Sequence, residues 1–352
     1  MQDILQEFHP LLAQFSQMSG RVGGRSDYVQ GGGGNTSVKL PGGLMAIKAS
    51  GFHLGEVLAN SGFAVLDSAQ LRAFYQKGDP EGFGDVEQAG SLKAREATLE
   101  VPGLAALRPS VEAGFHALLD TFVIHSHSVW ANLAACAAGA TEQVEQALSG
   151  APYAFAVIPY VNPGARLTFT MRDAIQAVEK REGRRPGILV MLNHGLVAHA
   201  PGMAEALDLH EDANARFRKH FGLLQEAWPQ PAVRAKGEGF VSDTPWLKQR
   251  LKGDAHPDSA LLQEPLYPDQ MVFFQDTLGK AARIDRQSGE TTYSLPQKNA
   301  QTLEETLCAV VFIRETLKAR GLMPQSMGEA AQAFISGWES EKYRKSLAGR
   351  KP

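Results

Sequence analysis

Two short apolar runs break off abruptly into histidine. Phe122, Val123 and Ile124 lead into His125, Ser126 and His127, while Ile188 to Leu192 lead into Asn193, His194 and Gly195. Runs of this length suit buried strands, and none in the chain approaches the roughly 18 to 20 apolar residues that a bilayer span requires. A further strand is predicted at 62–67, and the stretch 37–50 alternates as a hairpin about Pro41, Gly42 and Gly43. Helical stretches fall between these runs, at 91–100, 110–119 and 128–138, with another from Met203 to about Phe221. Ile4, Leu5, Phe8, Leu11, Leu12 and Phe15 recur at helical spacing and give a first helix that ends at Gly20. Short strands interleaved with helices argue for a layered α/β domain.

Proline changes the texture near Trp228. Pro229, Pro231, Pro245, Pro257, Pro265 and Pro268 interrupt the chain, which divides it into 1–228 and an α+β extension, 229–352, packed on the first part. The extension is expected to hold a strand at 270–275 and a hairpin turning at Gln287, Ser288 and Gly289. Two helices follow. Thr302 and Glu305 stand at capping-box spacing before Leu307, Val310, Val311 and Leu317, with a stop at Gly321, and Ser326 and Glu329 repeat that spacing.

A formal charge of -3 over 352 residues offers no general attraction to nucleic acid, and the basic tail at 342–351 reads as a charged helix end. Cys136 and Cys308 stand far apart in apolar surroundings, which argues against a disulfide framework and suits the reducing cytoplasm. The first ten residues lack a basic start followed by an apolar core, so the chain is expected to be soluble and unexported, with no membrane partner.

Because side chains alternate along a strand, His125 and His127 share a face and can turn toward one ion. A His-x-His pair alone is only moderately specific. With His194 at the end of a second apolar run, the three imidazoles match the protein ligands of a catalytic zinc-type site that keeps one position open. Gly195 can let the chain turn or let substrate approach the backbone. His9, His53, His199, His210, His220 and His256 lack such a setting.

Glu112 sits at a helix start, one turn before His116, where it can simply favour the helix dipole. It also lies a short way upstream of His125, which opens a role as acid, base or extra ligand. Gly31 to Gly34 with Asn35, Thr36 and Ser37, and Lys48 with Ser50 and Gly51, supply amides, hydroxyls and one ammonium suited to an anion, although a flexible loop has the same composition. Neither a P-loop nor a dinucleotide pattern is present.

In order along the chain, Gly34 to Ser37, Lys48 to Gly51, Pro109 to Glu112, His125 to His127 and Asn193 to Gly195 resemble the motif series of the class II aldolase/adducin family. The resemblance covers roughly 1–221. The section with Tyr267, Pro268, Asp269 and Gln270 and the segment 338–344 are similar to longer members of the rhamnulose-1-phosphate and fuculose-1-phosphate aldolase kind. It implies a three-layer α/β/α fold with a largely antiparallel central sheet, in a homotetramer with active sites between subunits. It also implies zinc on His125, His127 and His194, Glu112 as the catalytic residue, and phosphate contacts from Gly34, Asn35, Ser50, Gly51 and Ser110. Lys48, His116 and Asn193 are expected to stand behind these groups.

The expected reaction is cleavage of a sugar phosphate or related ketose through a metal-stabilised enediolate. The alternatives are a 4-epimerase or decarboxylase on the same metal site, or a non-catalytic assembly module like the adducin heads. Glu112, where 4-epimerases carry aspartate, favours aldol chemistry, and the histidine set favours an enzyme. Val111 stands where sugar-phosphate aldolases tend to have a second serine, so phosphorylation of the substrate stays open.

Overall fold

The computed structural model describes residues 4–253 and 258–337; the segment 338–344, the tail 342–351, and His256 with Pro257 lie outside the described residues. An eight-stranded sheet is built from β1 (Asn35–Leu40), β2 (Leu44–Lys48), β3 (Phe63–Asp67), β4 (Thr98–Leu99), β5 (Phe122–Ser126), β6 (Ala154–Ile158), β7 (Pro186–Met191) and β8 (Gly195–Ala200). Their spatial order is β4-β3-β2-β1-β5-β8-β7-β6, and only the β6–β7 pair is parallel. The chain is therefore mixed α/β with a largely antiparallel sheet. Among the described residues no helix is long and apolar enough to cross a membrane, and Cys136 and Cys308 are buried and free.

Alternation along the strands buries apolar side chains on both faces. Val38, Phe122, Ile124, Ile188, Val190, Leu196 and Ala198 pack with Leu12, Phe15, Met18, Ala206 and Phe217 from the His9–Gly23 and Met203–His220 helices. Toward the other face, Val123, Leu189, Met191 and Val197 pack with Phe115, Leu167, Met171 and Ile175, from the Ala113–Leu118 and Ala165–Glu182 helices. His125 has the parity of Val123 and so falls on this second face. Asn35 is its direct partner across the β1–β5 ladder.

A second, four-stranded sheet follows: β9 (Val233–Lys236), β10 (Gly239–Ser242), β11 (Ala282–Asp285) and β12 (Glu290–Tyr293), in the order β11-β12-β10-β9 and antiparallel throughout. The hairpin expected about Gly289 is β11–β12, with Gly289 at φ 73°. The Gln297–Ala319 helix sends Leu303, Leu307, Val310 and Leu317 into the main core.

Several sequence expectations change. The segment 270–275 is not a strand: Pro268 and Asp269 open the Pro268–Phe274 helix, where proline loses no hydrogen bond at the first position. The helix expected to open at Thr302 starts five residues earlier, at Gln297, and Thr302 lies inside it, so the box with Glu305 is not a cap. The first helix breaks at Phe8 and runs on to Gly23. The 91–100 stretch is the Val86–Ala97 helix, opened by Asp85, whose carboxylate accepts from the backbone N–H groups of Glu87 and Gln88. The Ala165–Glu182 helix was not expected, although Leu167, Met171, Ile175 and Val178 recur at helical spacing.

Candidate metal centre

His125 lies near the end of β5 and His127 just beyond it, while His194 comes from the tight β7–β8 connection, where Met191 pairs directly with Gly195. The turn is made by Asn193, at φ 53°, not by Gly195. Gly195 is needed because a Cβ there would stand 2.2 Å from the backbone oxygen of Ser126. Its place is a close approach between β5 and β8, which brings the three imidazoles together.

The ring centroids of His125, His127 and His194 are 4.9, 5.0 and 5.1 Å apart, and one nitrogen from each lies within 4.8 Å of the others. His127 Nε2 stands 3.2 Å from His125 Nε2. Glu112 completes the group, with Oε2 3.5 Å from His125 Nε2 and Oε1 3.4 Å from His194 Nε2. Ligands spaced tetrahedrally around an ion at 2.0–2.1 Å stand about 3.4 Å from one another.

Tautomers sharpen this picture. Leu196 O, 3.3 Å from His125 Nδ1, can only accept, so Nδ1 carries the proton and Nε2 is a bare lone pair. The Asp269 carboxylate, 2.5 Å from His127 Nδ1, calls for the same arrangement there. Burial, followed by the neighbouring His127 and His194, drives the His125 pKa well below its ordinary value, and burial takes His194 down to about 3. His125 and His194 are thus neutral, and the bare His125 Nε2 faces His127 Nε2. A cation is the group this donor set fits; His194 presents Nε2 to Glu112, while its buried Nδ1 has no hydrogen-bond partner.

Glu112 does not cap its helix. It occupies the position before Ala113 with no side-chain cap bond, and it turns toward the histidines instead. Asn35 Nδ2 donates to Glu112 Oε2 at 2.6 Å and to Ser110 Oγ at 3.0 Å, which engages both of its amide hydrogens. Its Oδ1 faces His116 Nε2, and His116 Nδ1 accepts from Ser37 Oγ at 2.7 Å. Burial, then Lys39 and His199, holds His116 well below its usual pKa, so it too is neutral.

A cavity of about 60 Å³ opens on these groups. Gly32, Gly33, Gly34, Asn35, Lys48, Ser50, Gly51 and Ser110 line it together with Glu112, His127 and His194. Lys48 Nζ donates to Gly32 O at 3.3 Å and Phe52 O at 2.7 Å, and Ser50 Oγ donates to Pro109 O at 3.1 Å. Every expected anion contact thus lines one cavity with His127 and His194, while His125, His116 and Asn193 do not line it. Pro163, Pro268, Asp269 and Ile335 also line it and were not foreseen; the only signal was the Tyr267 to Gln270 motif.

The family model for the class II aldolase and adducin N-terminal domain matches residues 17–219. Among solved structures, the N-terminal class II aldolase domain of a conserved protein from Thermoplasma acidophilum is similar at 24% identity and TM-score 0.48, covering 58% of this chain and 91% of that one. A sugar-phosphate aldolase from Thermotoga maritima gives 14% identity and TM-score 0.44, with 61% and 95% covered. L-fuculose 1-phosphate aldolase from Glaciozyma antarctica PI12 is similar over 91% of this chain and 94% of its own, at 10% identity and TM-score 0.40. No curated protein matches.

Proposed function

Because this chain belongs to the class II aldolase and adducin family, we propose that it is a metal-dependent aldolase acting on a sugar phosphate or related ketose, with His125, His127 and His194 holding the ion. The observation that carries the reading is Glu112, a carboxylate 3.4 and 3.5 Å from two of the three clustered imidazoles. A divalent ion in such a nest, zinc first among them, supplies Lewis acidity toward a carbonyl oxygen.

The remaining work belongs to the side chains. Glu112 moves the proton at the carbon beside that carbonyl, giving it in cleavage and taking it in synthesis. Asn35 steers it by donating to Oε2, which also stands near His125, while Oε1 faces His194. Lys48, the Gly32 to Gly34 amides, Ser50, Gly51 and Ser110 receive the anionic or hydroxyl end of the substrate. The cavity holds one ammonium against two carboxylates, and a divalent ion reverses that balance in favour of an anion. On the same reading, the helices on both faces of the sheet form the family's three-layer arrangement and the subunits assemble as a homotetramer. The section 229–352 is an extension packed on the catalytic part, a view supported by Asn193 Nδ2 donating to Leu266 O and Gln325 O.

The test is a panel of ketose 1-phosphates and their unphosphorylated counterparts, assayed for aldehyde with zinc, manganese or cobalt. Aldehyde release that depends on the ion is expected. Glu112→Gln should keep the ion and lose proton exchange at the substrate carbon by about 10²- to 10⁴-fold. Release of carbon dioxide, or an epimer as the sole product, would remove the aldol step and leave the metal centre. Failure to take up any ion would favour an assembly module.

A further inference from the structure

Asp269 reaches the centre from outside the stretch that the family model matches. Its Oδ2 lies 2.5 Å from His127 Nδ1, and the two side chains are 1% and 6% exposed. An imidazole that ligates a metal carries one proton. With a carboxylate accepting at Nδ1, that proton is fixed there, and the Nε2 lone pair is aimed at the cluster, 3.2 Å from His125 Nε2. Asp269 is not itself a ligand in this arrangement, because it sits on the outer side of the ring.

The carboxylate is held from two directions. Pro268 starts its helix, and Leu266 N donates to Gln270 Oε1 at 2.9 Å, which pins the segment just before that helix. On the opposite side the backbone of Gly33 comes so close that a Cβ there would stand 2.3 Å from Asp269 Oδ2 and 2.8 Å from His127 Nδ1. A side chain at 33 and the carboxylate–imidazole contact exclude each other.

We infer that Asp269 is the positioning residue for the metal ligand His127, that Gly33 is the position that admits it, and that the centre is therefore completed by the C-terminal section. The inference rests on the metal-dependent reading above. Its test is zinc affinity of the full chain, measured by competition with a chromophoric chelator, together with the ligand-field absorption of the cobalt(II) form. Asp269→Asn keeps the shape and a hydrogen-bond acceptor but removes the charge; Gly33→Ala leaves both partners intact and pushes them apart. Each is expected to weaken zinc by about 10- to 100-fold and to shift the cobalt spectrum, with the thermal midpoint of the metal-free protein little changed. Since both act through one contact, the double variant should be no weaker than the weaker single variant.

Wild-type affinity and an unaltered cobalt spectrum in Asp269→Asn overturn the inference and leave the metal centre standing. If Asp269→Asn does not fold, Gly33→Ala decides by the same readings. A wild-type protein that binds neither zinc nor cobalt overturns the metal reading itself, and this inference with it.

Discussion

Asn193 is the only non-glycine residue with positive φ among those described, at 53°. Asparagine tolerates this left-handed conformation better than most residues, which suits a three-residue connection between antiparallel strands. Here its side chain has a second use. Nδ2 donates to Leu266 O at 2.9 Å and to Gln325 O at 2.7 Å, so the residue beside His194 also ties down two distant segments. The two contributions can be separated. Asn193→Gly keeps the backbone and loses both hydrogen bonds, at a cost of about 1–3 kcal/mol. Asn193→Ala loses the bonds and adds the left-handed penalty, about 1 kcal/mol more. Urea unfolding of the two variants measures the difference; equal midpoints would mean that the turn stores no strain.

At the scale of elements, the distance between β5 and β8 decides whether the histidines meet. Gly195 faces the Ser126 carbonyl so closely that Gly195→Ala forces two backbones apart, and no rotamer relieves a clash with backbone. The expected cost is about 1–3 kcal/mol, with weaker zinc binding because His127 and His194 separate. Gly55→Ala, where a Cβ meets nothing within 4 Å, is the control and should stay within about 0.5 kcal/mol of wild type. Unchanged zinc affinity in Gly195→Ala would show that the strands can part without disturbing the ligands. The same elements show what could be read from sequence. β5 and β7 were legible because buried interior strands are apolar without interruption and end at a change of chemistry. β8 was not, since His199 breaks its apolar pattern and pairs with Asp120 at 2.9 Å. The run from Met271 to Phe274 was misread because a short apolar run fits a strand or a helix, and its initiating Pro268 lies outside it. Asp269 was beyond reach for another reason: its partner His127 is 142 residues away, and no local pattern encodes that distance.

For the molecule as a whole, the centre is a knot of distant segments. His125 lies in β5 and His127 follows it, His194 turns between β7 and β8, Glu112 precedes the Ala113–Leu118 helix and Asp269 lies in the first turn of the Pro268–Phe274 helix. An ion held by the folded form alone stabilises it by RT ln(1 + [L]/Kd), about 4 kcal/mol at a thousandfold excess over Kd. Because its ligands and their supports lie so far apart along the chain, that gain should spread beyond the main sheet. Hydrogen exchange with and without zinc is the direct measurement. Slower exchange is expected around 123–128 and 191–197, and also at 266–275, which contributes no ligand. Glu112→Gln should keep all of this protection, since it retains three imidazoles, whereas His127→Ala should lose it in every segment at once. Protection confined to the first two segments would mean that the C-terminal section covers the centre without being coupled to it.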